Sequence, residues 1–286
     1  MAYRRLADQP LSRLAIWARR VALFSLVAAL LSIVIVRSGI LEIEPALATF
    51  GGALVLSVIG SLLALASFVV IWKDGLAGLS YGLTAIFIGL ALNAYPLYLG
   101  YRWSKLPAIA DITTDPIDPP RFEAIARLRQ RNANSPIYAG LYAAEQQRVA
   151  YPNIQPLMVD APPNVAYEAA LAVITKRKWL MIDNREPQLN RREGRIEAVV
   201  RTPIMGFRED VVVRVRAASG GGTRVDIRSA SRWGRFDFGS NATRVAALVE
   251  DIETIADAPV KEKKAPAAPK PAPAPAKTTG QPATKR

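Results

Sequence analysis

ALATFGGALVLSVIGSLLALASFVVIW, residues 46–72, carries no charged side chain, and its reading decides the architecture. A helix rises about 1.5 Å per residue, so about 20 apolar residues cross a bilayer core. This stretch is long enough, and so is Gly75–Tyr101 on its C-terminal side, separated from it by Lys73-Asp74. On the N-terminal side, Val21–Val36 lies between Arg20 and Arg37. It reaches span length when those arginines snorkel or when Trp17 and Ile40-Leu41 are included. The expectation is three spans at about 14–36, 46–72 and 76–101, together a transmembrane region over 1–104. One ordinary-sized domain follows over 105–256, then a tail over 257–286.

The apolar stretches Val21–Val36, 46–72 and Gly75–Tyr101 contain no Asp, Glu, Lys or Arg, so they read as anchors rather than an ion or proton path. Gly78-Leu79-Ser80-Tyr81-Gly82, continued by Ala85 and Gly89, is a small-xxx-small ladder. It suits close packing of the second and third spans, or a homodimer seam. Arg4, Arg5, Arg13, Arg19 and Arg20 precede the first span and Lys73 joins their side, against Arg37, Arg102 and Lys105 on the other. This excess predicts a cytoplasmic N-terminus and, after three crossings, a periplasmic domain on a bacterial inner membrane. Trp17 and Trp72 at one boundary, with Tyr95, Tyr98, Tyr101 and Trp103 at the other, agree with that frame. Val36-Arg37-Ser38 offers no small-x-small cleavage site, so the first stretch reads as an uncleaved anchor.

The formal charge of +13 divides into three modest parts. Residues 1–104 hold 8 basic and 4 acidic groups, 105–256 hold 22 and 18, and the tail holds 7 and 2. No part is the basic patch that nucleic acid requires, so that class of partner is excluded. With no His and no Cys anywhere, Ser-His-Asp triads, cysteine nucleophiles and zinc or haem ligation by those residues are ruled out. No cofactor is expected. Carboxylate, Lys or Tyr chemistry, or an oxygen-ligated metal, is what remains for catalysis.

In the domain, Pro107–Pro120 is too proline-rich for a helix. Short helices are predicted at Arg121–Arg131 and Gly140–Val149, and a strand at Gln155–Asp160. Pro162-Pro163 opens a helix to about Lys176, with Val165, Ala169, Leu171, Ala172 and Ile174 as its apolar side. Strands follow at Trp179–Ile182, Arg195–Thr202, Asp210–Ala217 and Thr223–Ser231. Their alternation puts Ile196, Ala198, Val200, Val211, Val213, Val215, Val225 and Ile227 on one face, and Gly220-Gly221-Gly222 turns the last hairpin. Asn241–Ala256 closes the domain as a helix with Val245, Leu248, Val249 and Ile252 inward. The order β-α-β-β-β-β-α gives an α+β fold, an antiparallel sheet packed on a long helix in the manner of helix-grip domains. The Pro/Ala/Lys-rich tail reads as disordered.

The densest polar cluster, Arg228–Asn241, joins the last strand to the last helix. Asp111-Ile112-Thr113-Thr114-Asp115-Pro116, Gly206-Phe207-Arg208-Glu209-Asp210-Val211 and Val225-Asp226-Ile227-Arg228-Ser229 through Asn241 and Arg244 stand in order along the chain. Together they resemble the signature blocks of domain-of-unknown-function family 1499, over about Lys105–Ala256. The spans are similar to those of its membrane-anchored alphaproteobacterial members. The resemblance implies an envelope protein and carries over no catalytic residue; Glu209 stands where the family pattern has a second Asp.

Three readings of the cluster follow from its residues. Arg228, Arg232 and Arg235, with Ser240 and Asn241 at the helix start, would bind an anion. Asp210, Asp237 and Glu209 would hold a hard cation. Alternatively, Asp210, Asp226 and Asp237 neutralise the arginines and fix the strand–helix corner. The opposite strand face, with Arg195, Arg201, Arg214, Arg216 and Arg224 against Glu197 and Asp226, reads as solvated. Trp233 and Phe236 serve either as an exposed contact or as a cap on the sheet. The function expected is a non-enzymatic binding or scaffolding domain serving the envelope, its partners an envelope protein, anionic lipid or cell-wall polymer. The alternatives are an envelope hydrolase using carboxylates or a metal, and a lipid carrier with a void lined by Ile196, Val200, Val213 and Leu248.

Overall fold

A computed structural model describes residues 9–39, 43–188 and 193–257; the tail after 257 lies outside them. Three long helices open the chain: α1 (Arg13–Ser38), α2 (Ile43–Asp74) and α3 (Leu79–Trp103). All three are long and apolar enough to cross a membrane. Their packing is inverted relative to a soluble bundle. Ala15, Ala18, Ala22, Ser25, Ala29 and Ser32 of α1 face inward, as do Ala53, Ser57, Gly60, Ala64 and Ser67 of α2. Large side chains such as Phe24, Leu30, Leu62, Phe87 and Leu90 point outward. Without water, helices gain little by hiding leucine from lipid, and small residues bring backbones into contact. A Cβ on Gly60 would stand 3.3 Å from the Ala22 backbone nitrogen, and one on Gly82 would overlap the Phe68 ring. The small-residue ladder of α3 is therefore used within the chain, against α2. Asn93 adds the polar tie, donating from Nδ2 to Ser57 Oγ at 2.7 Å.

After α3 come β1 (Asp111–Thr113), α4 (Ala124–Leu128), α5 (Leu141–Ala150), β2 (Leu157–Val159) and α6 (Pro163–Lys176). Then follow β3 (Leu180–Arg185), β4 (Glu193–Arg201), β5 (Arg208–Ala217), β6 (Thr223–Ser231) and α7 (Ser240–Ala256). The strands form one antiparallel sheet in the order β1-β6-β5-β4-β3, with β2 sharing the outer edge of β6 beside β1. The α+β fold expected from the sequence is thus present, with two additions. β1 arises inside the proline-rich stretch, and helix α6 joins α7 in covering the sheet.

The face carrying Ile196, Ala198, Val211, Val213, Val215, Val225 and Ile227 packs on α6 and α7 as a single core. Val245, Leu248 and Ile252 of α7 enter it as their spacing predicts. In α6 Ala169 and Ile174 are buried as expected, joined by Ala166, Tyr167, Ala170 and Val173, while Ala172 is exposed. Ile196, Val213 and Leu248 are fully buried against neighbours, so the void proposed among them is a packed core.

Candidate functional site

The face of the sheet turned away from α6 and α7 carries Glu197, Asp210, Arg214, Asp226, Arg228 and Arg232, and all six are buried. This corrects the solvated face expected from alternation for Glu197, Arg214 and Asp226; Arg195, Arg216 and Arg224 are half-buried and Arg201 is exposed. The chain from Thr114 to Pro136 folds across these side chains, seated by Phe122 and Ile125 against Val199, Val212 and Ala230. Charges taken from water must be paired or hydrogen-bonded, and here each is. The Glu197 carboxylate accepts the backbone N–H groups of Glu123 (2.7 Å) and Ile125 (2.8 Å), fixing the start of the covering segment's helical turn. Asp226 gathers Arg214 (2.9 Å), Arg216 (3.1 Å) and Arg224 (2.9 Å), and Asp115 and Asp118 approach the same guanidiniums from the covering segment. Burial alone would raise the Asp118 carboxyl; the hydrogen bond from Arg216 and the charge of Arg214 outweigh it and hold the group below its ordinary value.

Arg228 is the centre of this layer. It grips Asp111 with two nitrogens, at 2.9 and 2.7 Å, and donates to the carbonyls of Pro120 and Pro136, each at 3.0 Å. Its guanidinium lies 4.6 Å from the Phe122 ring and 5.5 Å from that of Tyr138. Burial, with the nearby Asp111 charge, pushes the Tyr138 hydroxyl up to about 12, so it stays protonated at any physiological pH.

The strand–helix corner is a second closed network, on the opposite face. Glu209 is paired with Arg244 and accepts the Ser231 hydroxyl at 2.9 Å and that of Ser240 at 3.1 Å. Asn241 accepts from Ser229 and from Arg244 and donates to Ser231 and the Ala110 carbonyl. Asp237 takes the N–H groups of Gly239 (2.8 Å) and Asn241 (2.9 Å). The helix cap is thus a carboxylate two residues ahead of Gly239, whose φ of +79° carries the chain into α7. Burial pushes the Asp237 carboxyl above its ordinary value; the two N–H bonds oppose that, and the Glu209 charge adds to it.

A raised native pKa means the folded protein gains protons before the unfolded chain does. The gain in stability is full below the ordinary value of 3.8 and disappears as pH rises through the native value. Asp237→Asn removes this term. The melting temperature of the wild type should therefore rise relative to that of the variant as pH falls from 7 toward 4, and a difference that is flat or shrinks would contradict the assignment.

The sequence-predicted residues are accordingly dispersed. Arg228 and Arg232 lie in the charged layer, Arg232 on Asp210 at 2.7 Å, while Ser240 and Asn241 belong to the corner and Arg235 is exposed. Asp210 also holds Arg129 at 2.7 Å and faces away from Glu209, its neighbour in the strand, which points under α7. Among the described residues no group of three or more Asp or Glu is arranged to hold a metal ion.

Two clefts open to a ligand lie nearer the membrane helices. A cleft of about 600 Å³ is lined by Arg177, Lys178, Trp179, Arg201, Arg208 and Arg232 among others, with no acidic side chain in its wall. Arg177 is paired with Asp251 and Arg232 with Asp210. Among the described residues, Lys178, Arg201 and Arg208 face no carboxylate. A narrower cleft continues from it, sharing Arg201, Arg208 and Arg232 and reaching Arg37, Gly39 and Ile43 at the ends of α1 and α2. There the domain is bolted to the helices. Arg37 donates to the carbonyls of Pro203 (2.7 Å) and Ile204 (3.0 Å), and Arg201 donates to that of Arg37 at 2.6 Å. Gly206, at φ +72°, packs on Arg37, where a Cβ would come within 2.7 Å of Cγ. On the other side of this turn the Trp103 ring meets Phe236 edge-on at 5.8 Å, and Phe236 stacks on Phe238. Trp233 and Phe236, ambiguous from sequence, are thus half-buried at the helix–domain junction. Arg208 and Lys178 are cleft residues that the sequence reading left unused.

Residues 111–252 match the family described as "Protein of unknown function (DUF1499)", which bears out the resemblance carried by the Asp111, Gly206 and Val225 blocks. The comparisons with curated proteins and with solved structures give no match.

Proposed function

We propose, from a domain of that family seated on three candidate membrane helices, that the protein is an envelope component that binds or scaffolds at the outer surface of a bacterial inner membrane. One observation carries this reading. The two dense polar clusters of the domain are closed on themselves, Asp210 with Arg129 and Arg232, Glu209 with Arg244 and two serines. The two clefts that share Arg201, Arg208 and Arg232 present guanidinium and ammonium groups. Such walls recognise an anion through charge-assisted hydrogen bonds. They place no paired carboxylates and no activated hydroxyl for a hydrolytic step, so the hydrolase alternative has less support.

The side of the membrane rests on the arginines before α1 and on Lys73, against Arg37, Arg102 and Lys105 at the opposite end. The helices run so that Arg37 and Trp103 both meet the domain while Lys73 ends α2 at the far boundary. An alkaline phosphatase fused after Ala256 should therefore be active in a Gram-negative host. A silent phosphatase together with a fluorescent cytoplasmic fusion at the same site would overturn the orientation.

A further inference from the structure

At the junction of α2, α3 and the domain lies an open cavity of about 470 Å³ whose wall is almost wholly apolar. Leu47, Phe50 and Leu99 come from the helices, and Met205, Phe207 and Phe238 from the domain. Two of its walls are membrane-spanning elements, so it opens at the level where acyl chains meet headgroups. Phe207 separates it from the narrow cationic cleft, which it also lines. The Arg208 guanidinium reaches toward the end of α1, with Nη2 3.3 Å from where a Cβ on Gly39 would stand. Arg37 and Arg201 at this level bond only to backbone carbonyls, so their charge is not neutralised by a carboxylate among the described residues.

An apolar slot beside an uncompensated cluster of arginines at a bilayer boundary has the chemistry of one molecule. We propose that the junction holds a membrane lipid with an anionic headgroup, its acyl chain in the cavity against α2 and α3 and its headgroup in the cleft of Arg201 and Arg208. The chain fills space that water would occupy at a cost, and the guanidiniums match the lipid phosphate bidentately. The inference rests on the membrane-anchored reading but not on which side the domain faces.

The full-length protein, purified in detergent and exchanged into vesicles of phosphatidylcholine with a minority of phosphatidylglycerol, is re-extracted and its retained lipid measured by mass spectrometry. The wild type should retain about one lipid per chain, enriched in phosphatidylglycerol. Arg208 is exposed and faces no carboxylate among the described residues, so Arg208→Ser should fold normally and lower that enrichment about fivefold, the scale of losing one basic contact with an anionic headgroup. Gly100 lines the cavity, and a Cβ there meets nothing within 4 Å, so Gly100→Phe should fill the space from α3 and reduce retention of both lipids with the melting temperature held.

Retained lipid of bulk composition, unchanged in both variants, would overturn the proposal. So would stabilisation by inorganic phosphate equal to that given by phosphatidylglycerol, which would make the cleft a free-anion site. A dimer abolished by Gly100→Phe, without lipid dependence, would put a second copy in the cavity instead. An inactive phosphatase fusion beside intact lipid selectivity would revise the side of the membrane and leave this site standing.

Discussion

Arg228→Ala should destabilise the domain by about 3–5 kcal/mol, a large part of the roughly 5–15 kcal/mol that holds an ordinary domain folded. Arg228 is 1% exposed, and the substitution strands Asp111 together with the carbonyls of Pro120 and Pro136. It also opens a cavity beside Phe122 and Tyr138, whose rings both lie near the guanidinium. Arg228→Lys keeps the charge but loses the two-nitrogen grip and the stacking, so it should recover only part of the loss. Arg228→Met combined with Asp111→Ala should recover more, because it removes the stranded charge and refills the volume. Hydrogen exchange of the β5 and β6 amides in the full-length protein reads all three. A loss under about 1 kcal/mol for Arg228→Ala would show that water reaches Asp111 and that the layer is not closed.

Asp210→Ala should be at least as damaging and should exceed Arg232→Ala. Asp210 is wholly buried and serves two guanidiniums, Arg129 and Arg232, at 2.7 Å each. Removing it leaves two buried like charges without a counter-ion, a cost of about 3–5 kcal/mol on the scale of broken buried pairs. Removing Arg232 leaves Asp210 still bonded to Arg129, so the damage is smaller, and the lining of the basic cleft changes as well. The same exchange measurement gives the ranking, and an Arg232→Ala loss equal to that of Asp210→Ala would contradict this division of labour.

Strands β4 to β6 were legible because Val211/Val213/Val215 and Val225/Ile227 repeat at every second position. The apolar spans were legible from length alone. The charged face was not. A sequence of alternating Arg, Asp and Glu looks the same whether water or protein covers it, and the cover is an irregular segment with no periodicity to announce itself. β1 escaped for the same reason, being three residues next to Pro116 whose pairing is set wholly by β6. At the junction a signal was present but unread. Arg201-Thr202-Pro203-Ile204-Met205-Gly206-Phe207-Arg208 is an apolar hairpin tip framed by two arginines, a pattern suited to a membrane boundary. The Arg232 part of the predicted anion cluster does line the basic cleft, but Asn241 and Ser240 are spent on internal bonds.

The position of β6 in the sheet sets the order in which this domain can be made. β6 is the last strand in the chain, yet it lies between β5 on one side and β1 with β2 on the other. Its Arg228 must find Asp111 across 117 positions of sequence, and Ile227 must find Thr114 across 113. As the chain is synthesised, β1 and β2 have no strand to pair with until β6 has emerged. Asp111 stays hydrated in the meantime. Such non-local closure is intrinsically slow, and the exposed edge of β5 is open to mispairing during the wait. The polar character of the N-terminal segment then has a use during biogenesis. A segment rich in aspartate and proline keeps β1 and β2 soluble while they wait for the final strand.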